Sequence, residues 1–246
     1  MRDSSSEHES PPPSLRGRLA EVFIPALFAE SLAPLLKRLG DLATVDEPIA
    51  GSSSGIDKIQ AHLEKIAAWF AERGARYSKS GSIVGADRDV AEGVIDMRSH
   101  EKTIAVPVAV VAQRGKNRVV EVRVYHATKT LGIDRKGPAP ALPIEMEVPA
   151  FAKDVIDALR RKDGFGIATA LETGGTVCEA SGVETERDSV MKLLEDGAHV
   201  FEPRAVAADL RRCAVECVRP SGRSSLVVVE RGDSGLVRSV RIYDED

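Results

Sequence analysis

The chain has 246 residues, 43% of them hydrophobic and 29% charged, which is enough apolar surface for two ordinary cores and argues against disorder throughout. Its 34 basic and 38 acidic residues leave a formal charge of −4 with no basic run, so nucleic acid is not an expected partner. No apolar run reaches the roughly 18 residues of a membrane helix, and Met1 to Glu7 lacks the basic-then-apolar order of a signal peptide, so a soluble, cytoplasmic protein without membrane contact is the expectation.

Residues 1–14 combine serine, acid and the run Pro11-Pro12-Pro13 and read as a disordered tail. From Leu15 to Leu39 apolar residues recur at helical spacing, interrupted by Pro25 and Pro34, which predicts a kinked or two-piece helix ending at Gly40. A short extended piece, Asp41 to Pro48, and a polar loop, Ala50 to Gly55, lead into a helix over Ile56–Glu72 with Ile59, Leu63, Ile66, Ala67 and Phe70 on one stripe. The period then changes to two, and strands are expected at Arg76–Val84, Asp89–Met97, Thr103–Val111 and Val119–His126. The prolines between Gly137 and Pro143 make a semi-stiff spacer, placing a linker over residues 138–149. Beyond it come a helix over Phe151–Arg161, a short helix to Glu172, an extended Thr176–Glu179 and a helix over Glu186–Glu195. Strands follow near Val200 and at Ala207–Arg219, Ser225–Glu230 and Leu236–Asp244.

Both halves end alike. Val122-Arg123-Val124-Tyr125-His126 and Val240-Arg241-Ile242-Tyr243-Asp244 share a β-branched/Arg/β-branched/Tyr/polar pattern, and each follows an apolar strand and a Gly-bearing polar turn, the signature of a hairpin. The spacing of the two copies is domain-sized, so the chain reads as two copies of one small domain, residues 15–137 and a reduced copy over 150–246, packed as an internal pseudo-dimer. Helices followed by strands give the α+β class.

This order, with the Glu47-Pro48-Ile49-Ala50-Gly51 loop before the long helix and the hairpin ending, resembles the nuclear transport factor 2-like superfamily, which includes SnoaL-like polyketide cyclases, ketosteroid isomerases and limonene-type epoxide hydrolases. The resemblance implies two cone-shaped domains, each with helices covering a curved antiparallel sheet around an apolar pocket, the main one in the first half. It also implies a cofactor-independent isomerase or cyclase acting on a small hydrophobic carbonyl compound, of the kind found in secondary metabolism. The epoxide-hydrolase triad is absent: Val124, Gly93 and Ile95 stand at its places in the first copy, and Ile242, Cys217 and Arg219 in the second.

Strand phase puts Val120, Val122, Val124 and His126 on one face, toward the pocket, leaving His126 as the titratable group there; it reads either as a proton-transfer group or as a half-exposed histidine ending a strand. Asp46, with Glu47 beside it, at the pocket mouth and Glu92 in mid-strand are the other acid/base candidates, the two loop acids reading equally as solvated groups. Glu92 and its counterpart Glu216 read more readily as partners of an arginine on a neighbouring strand, Arg123 or Arg241. Trp69, Tyr77, Val122, Val124 and Ile95 are the expected pocket residues, with Phe70 as core. Cys178, Cys213 and Cys217 read as small buried hydrophobes. No metal-ligand spacing and no nucleotide-binding glycine motif occurs, so neither metal nor cofactor is expected. The partner classes are a small hydrophobic ligand or substrate, and at most weak self-association. The alternative to an enzyme is a binding or assembly protein that uses the same pocket fold.

Overall fold

The computed structural model describes residues 18–99, 102–115, 120–127, 131–132, 138–139, 141, 147–179, 181–190 and 201–243. The expected tail at 1–14, most of the proline-rich linker, residues 191–195 of the expected helix, the strand near Val200 and Asp244 lie outside the described residues. The first half opens with α1 (Leu19–Ala26) and α2 (Ala33–Leu39), the two pieces the prolines demand: Pro25 closes the first helix and Pro34 sits in the first turn of the second, where its missing N–H costs nothing. Then come β1 (Thr44–Glu47), β2 (Gly51–Ser54), α3 (Ile56–Glu72), β3 (Arg76–Val84), β4 (Arg88–Ser99), β5 (Lys102–Arg114) and β6 (Val120–His126). The second half holds α4 (Ala150–Arg161), α5 (Gly164–Ala170), β7 (Leu171–Glu179), β8 (Glu184–Glu186), β9 (Glu202–Ala208), β10 (Arg212–Val218), β11 (Ser224–Arg231) and β12 (Val237–Tyr243).

Each half builds a six-stranded sheet with one shared topology, β2-β1-β6-β5-β4-β3 in the first and β8-β7-β12-β11-β10-β9 in the second. The predicted hairpins close as β5–β6 and β11–β12. The sheets are mixed rather than wholly antiparallel, because β1 runs parallel to β6 and β7 parallel to β12. Three expectations are corrected. Where a helix was expected from Glu186, Glu186 ends β8 and Arg187–Ser189 form a single 3₁₀ turn. The loop at Ala50–Gly55 contains β2, an edge strand pairing Val45 with Ser53; a run of serines carries no apolar alternation to betray it. The single strand at Ala207–Arg219 is two strands with a reversal between them, where the Asp209 carboxylate accepts the backbone N–H groups of Arg211 and Arg212, both at 2.8 Å.

Each sheet packs one face on its own helices, giving two separate cores. The other faces meet, and Ile83, Val90, Ala109, Val111 and Tyr125 pack there against Ala207, Ala214, Leu226, Val228 and Tyr243. Two ion-pair networks run through this apolar layer, related by the repeat. Glu216 on β10 accepts Arg88 Nη1 at 2.7 Å, Arg123 Nε at 2.6 Å and Nη2 at 2.9 Å, and the Tyr125 hydroxyl at 2.7 Å. Glu92 on β4 accepts Arg241 Nε at 2.7 Å and Nη2 at 2.9 Å, and the Tyr243 hydroxyl at 2.8 Å. The carboxylates therefore pair with arginines of the opposite half rather than of their own. The remaining arginine donors stay at home: Arg123 reaches Glu121 and Gln113, while Arg241 reaches Ser239 and Glu230, so the second acid has moved one strand over between the copies. Such fully bonded buried pairs fix how the two sheets register, at a net stability cost or gain set by desolvation.

Candidate functional site

Beneath α1 and α3 the first sheet leaves a cavity lined by Phe23, Ile24, Leu27, Ile49, Ile66, Phe70, Ile95, Val108 and Val124, with Glu47 and His126 as its two ionisable groups. Its volume is about 10 Å³, room for about one water molecule. His126 ends β6 on the face predicted from strand phase and is 4% exposed. Neither ring nitrogen has a hydrogen-bond partner of good geometry among the described residues, the backbone of Ala127 making only a loose polar contact. Burial pushes its pKa down; Glu47 and the backbone of Ala127 pull weakly the other way. The imidazole is therefore neutral near pH 7 and retains a lone pair facing an apolar space.

The acid at this cavity is Glu47, one residue from the predicted Asp46. Alternation along β1 decides it: Val45 and Glu47 turn inward, whereas Asp46 turns away, accepts the Ala139 N–H at 2.8 Å and has its pKa raised, chiefly by burial. Glu47 is held by the backbone N–H groups of Ile49, at 2.7 Å, and Ala50. His62, on the buried stripe of α3, sets Nε2 3.1 Å from Glu47 Oε1, off the ring N–H axis, and Nδ1 2.7 Å from the Ser53 hydroxyl. Glu92 lies on the far side of its sheet, in the network between the halves, and does not reach the cavity. Of the expected lining residues, Val124 and Ile95 are present. Val122 is buried in the same core but off the cavity. Trp69 lies beside it, edge-on to Phe70 and capped by Arg73 at 3.9 Å. Tyr77 covers Gly93, donates to the Glu92 carbonyl at 3.4 Å, and burial pushes its pKa up to about 12.

No protein-family model matches the sequence, and no curated protein matches it. Solved structures do. A SnoaL-like protein of unknown function from Burkholderia thailandensis is 21% identical over 39% of this chain and 97% of its own, with a TM-score of 0.32. An NTF2-like protein of unknown function from Cytophaga hutchinsonii is 19% identical over 46% and 91%, with a TM-score of 0.33. A Catenulispora acidiphila protein with a ketosteroid isomerase-like fold, solved with trimethylamine, is 12% identical over 43% and 83%, with a TM-score of 0.34. Each match spans nearly the whole of the other protein and a little under half of this one.

Ser53 and His62 escaped the sequence reading, which reached Glu47 only as the neighbour of Asp46. His62 stands four residues before Ile66 and three after Ile59 on the apolar stripe of α3, and a polar residue on such a stripe was the available signal. Among the described residues no cluster of His, Cys, Asp and Glu is arranged to hold a metal ion, and no helix is long and apolar enough to cross a membrane.

Proposed function

We propose that the first half is a cofactor-independent acid/base catalyst of isomerase or cyclase type for a small hydrophobic carbonyl compound, with His126 as the proton-transfer group. The observation that carries this reading is a buried, neutral imidazole with both nitrogens unpartnered, turned into an otherwise apolar cavity. Such an imidazole accepts a proton from the carbon beside a carbonyl group, and the Glu47 carboxylate on the same cavity stabilises the imidazolium that results. The cavity volume is far below that of such a substrate, so binding must displace Phe23 and Ile24 of α1 and Leu27 just after it. That helix is short and ends at Pro25 and Ala26, which leaves it few backbone bonds to resist.

The small volume of the cavity favours a second reading, an assembly or binding protein whose first half keeps the pocket fold without turnover. The two readings separate when enone, ketosteroid-like and polyketide-like compounds are offered to the parent and to His126→Ala side by side. The first expects turnover in the parent and a loss of about 10²–10⁴-fold in the variant. Equal rates remove His126 from the mechanism, and no turnover in either protein leaves the assembly reading.

A further inference from the structure

We infer a second reactive centre, which shares Glu47 with the cavity but lies on its β2 side: Ser53, His62 and Glu47 form a nucleophile–base–acid triad suited to acyl transfer from small uncharged carboxylic esters. The hydroxyl of Ser53 is 2.7 Å from His62 Nδ1, and His62 Nε2 is 3.1 Å from Glu47 Oε1. The acid is fixed by two backbone N–H groups, so it cannot turn away from the ring. Its oxygens only accept, and although the 3.1 Å contact lies off the ring N–H axis and is not a hydrogen bond, the nearby negative charge favours the proton on Nε2 and leaves the Nδ1 lone pair for the serine hydroxyl. His62 is 7% exposed, whereas Ser53 is half-buried on the edge strand β2, so base and acid are shielded while the nucleophile meets solvent.

The local sequence agrees with this role. Gly51-Ser52-Ser53-Ser54-Gly55 has the Gly-x-Ser-x-Gly spacing between a strand and a helix, and both glycines have positive φ, 92° and 86°. Ser53 itself is not in the left-handed region, so it lies on a strand and not on a strained elbow. An oxyanion donor follows from register. The Gly55 N–H bonds the Ala43 carbonyl, so along β2 the N–H of Ser53 also turns toward β1, and the N–H of Ser54 turns out of the sheet edge. The residue after the nucleophile thus has a backbone donor with no strand beyond it.

The step balances without a co-reactant. Ser53 Oγ attacks the ester carbonyl carbon as its proton passes to His62 Nδ1, and the imidazolium is stabilised by Glu47. The carbon–oxygen bond to the leaving alcohol breaks, and that alcohol takes the proton from His62. Water then attacks the acyl-serine, giving a proton to His62, and the departing Ser53 Oγ recovers it as the acid leaves.

The test uses the full chain, a fluorophosphonate probe and p-nitrophenyl acetate. The probe is expected to attach once, with the adduct mapped by mass spectrometry to Ser53 and fluoride released. Ser53→Ala is expected to abolish the adduct, His62→Gln to slow labelling and ester hydrolysis by about 10²-fold or more, and the exposed Ser80→Ala to react as the parent does. Circular dichroism of each variant establishes that it is folded. No adduct on the folded parent, or labelling of Ser53 that is unchanged in folded His62→Gln, overturns the proposal.

Discussion

Replacing His126 with leucine separates a residue kept for chemistry from one kept for packing. In the parent, two ring nitrogens are buried without partners, and an unsatisfied buried polar group costs about 1–3 kcal/mol. Leucine is of similar size and carries no such group, and about 10 Å³ of free space beside it absorbs the difference in shape. The variant is therefore expected to be more stable than the parent by about 1–3 kcal/mol at pH 7.5. The gap also depends on pH. Burial lowers the folded-state pKa of His126 below the usual 6.5, so the unfolded chain binds a proton that the folded one refuses; the parent's stability is complete above that value and falls as pH drops through it. The slope approaches about 1.4 kcal/mol per pH unit for one group, so at pH 5.5 the variant's advantage is expected to widen by up to that amount. Urea unfolding at the two pH values measures both effects, with the slope against denaturant serving as a check on two-state behaviour. A variant less stable than the parent by more than about 1 kcal/mol at pH 7.5, or a gap that ignores pH, would refute the claim that the imidazole is buried, neutral and unpaired.

Glu216→Ala is expected to cost about 3–5 kcal/mol in urea unfolding, since two buried arginines and a tyrosine hydroxyl lose the carboxylate they share. Glu92→Ala is expected to cost less, because one arginine rather than two loses its carboxylate and the Arg241 side chain is 23% exposed against 5% for Arg123. Gly93→Ala would set a methyl group 2.3 Å from the Tyr77 ring and 2.6 Å from the Ser78 carbonyl oxygen, and a loss of about 1–3 kcal/mol, read as a lower melting temperature, is expected. Burial pushes the Cys213 thiol up to about 12 and the Cys217 thiol higher still, so a disulfide reagent at pH 8 is expected to reach neither until denaturant is added.

Most of the architecture was legible because it is written in periodicity. The apolar stripe of α3 and the alternation of β3 gave their bounds, and the prolines divided the first helix. The phase of β6 sent His126 to the cavity side and Tyr125 to the opposite face. Illegible features were those in which polar atoms replace apolar pattern. Strand β2 is glycine and serine, and its place at the sheet edge comes from pairing with β1. A carboxylate that bonds backbone N–H groups, such as Glu47, gives no periodic signal, so the sequence offered Asp46 and Glu47 together and only the burial phase of β1 separates them. The arginine–glutamate repeat was visible in both copies, but a single copy cannot reveal whether its charges meet within a half or between halves. That depends on which sheet faces are buried against each other, a tertiary choice that the apolar cluster of Ile83, Val90, Leu226 and Val228 makes.

The crossed pairing is what makes one molecule of the two halves, and a pair of double-mutant cycles tests it most directly. Glu92 and Arg241 are replaced singly and together, and Glu92 and Arg123 likewise, with stability measured in urea. A coupling of about 1.5–3 kcal/mol for Glu92 with Arg241, and below about 0.5 kcal/mol for Glu92 with Arg123, is the predicted result. Coupling of Glu92 to Arg123 and not to Arg241 would mean that each half satisfies its own charges, and would contradict the clasped arrangement of the two sheets.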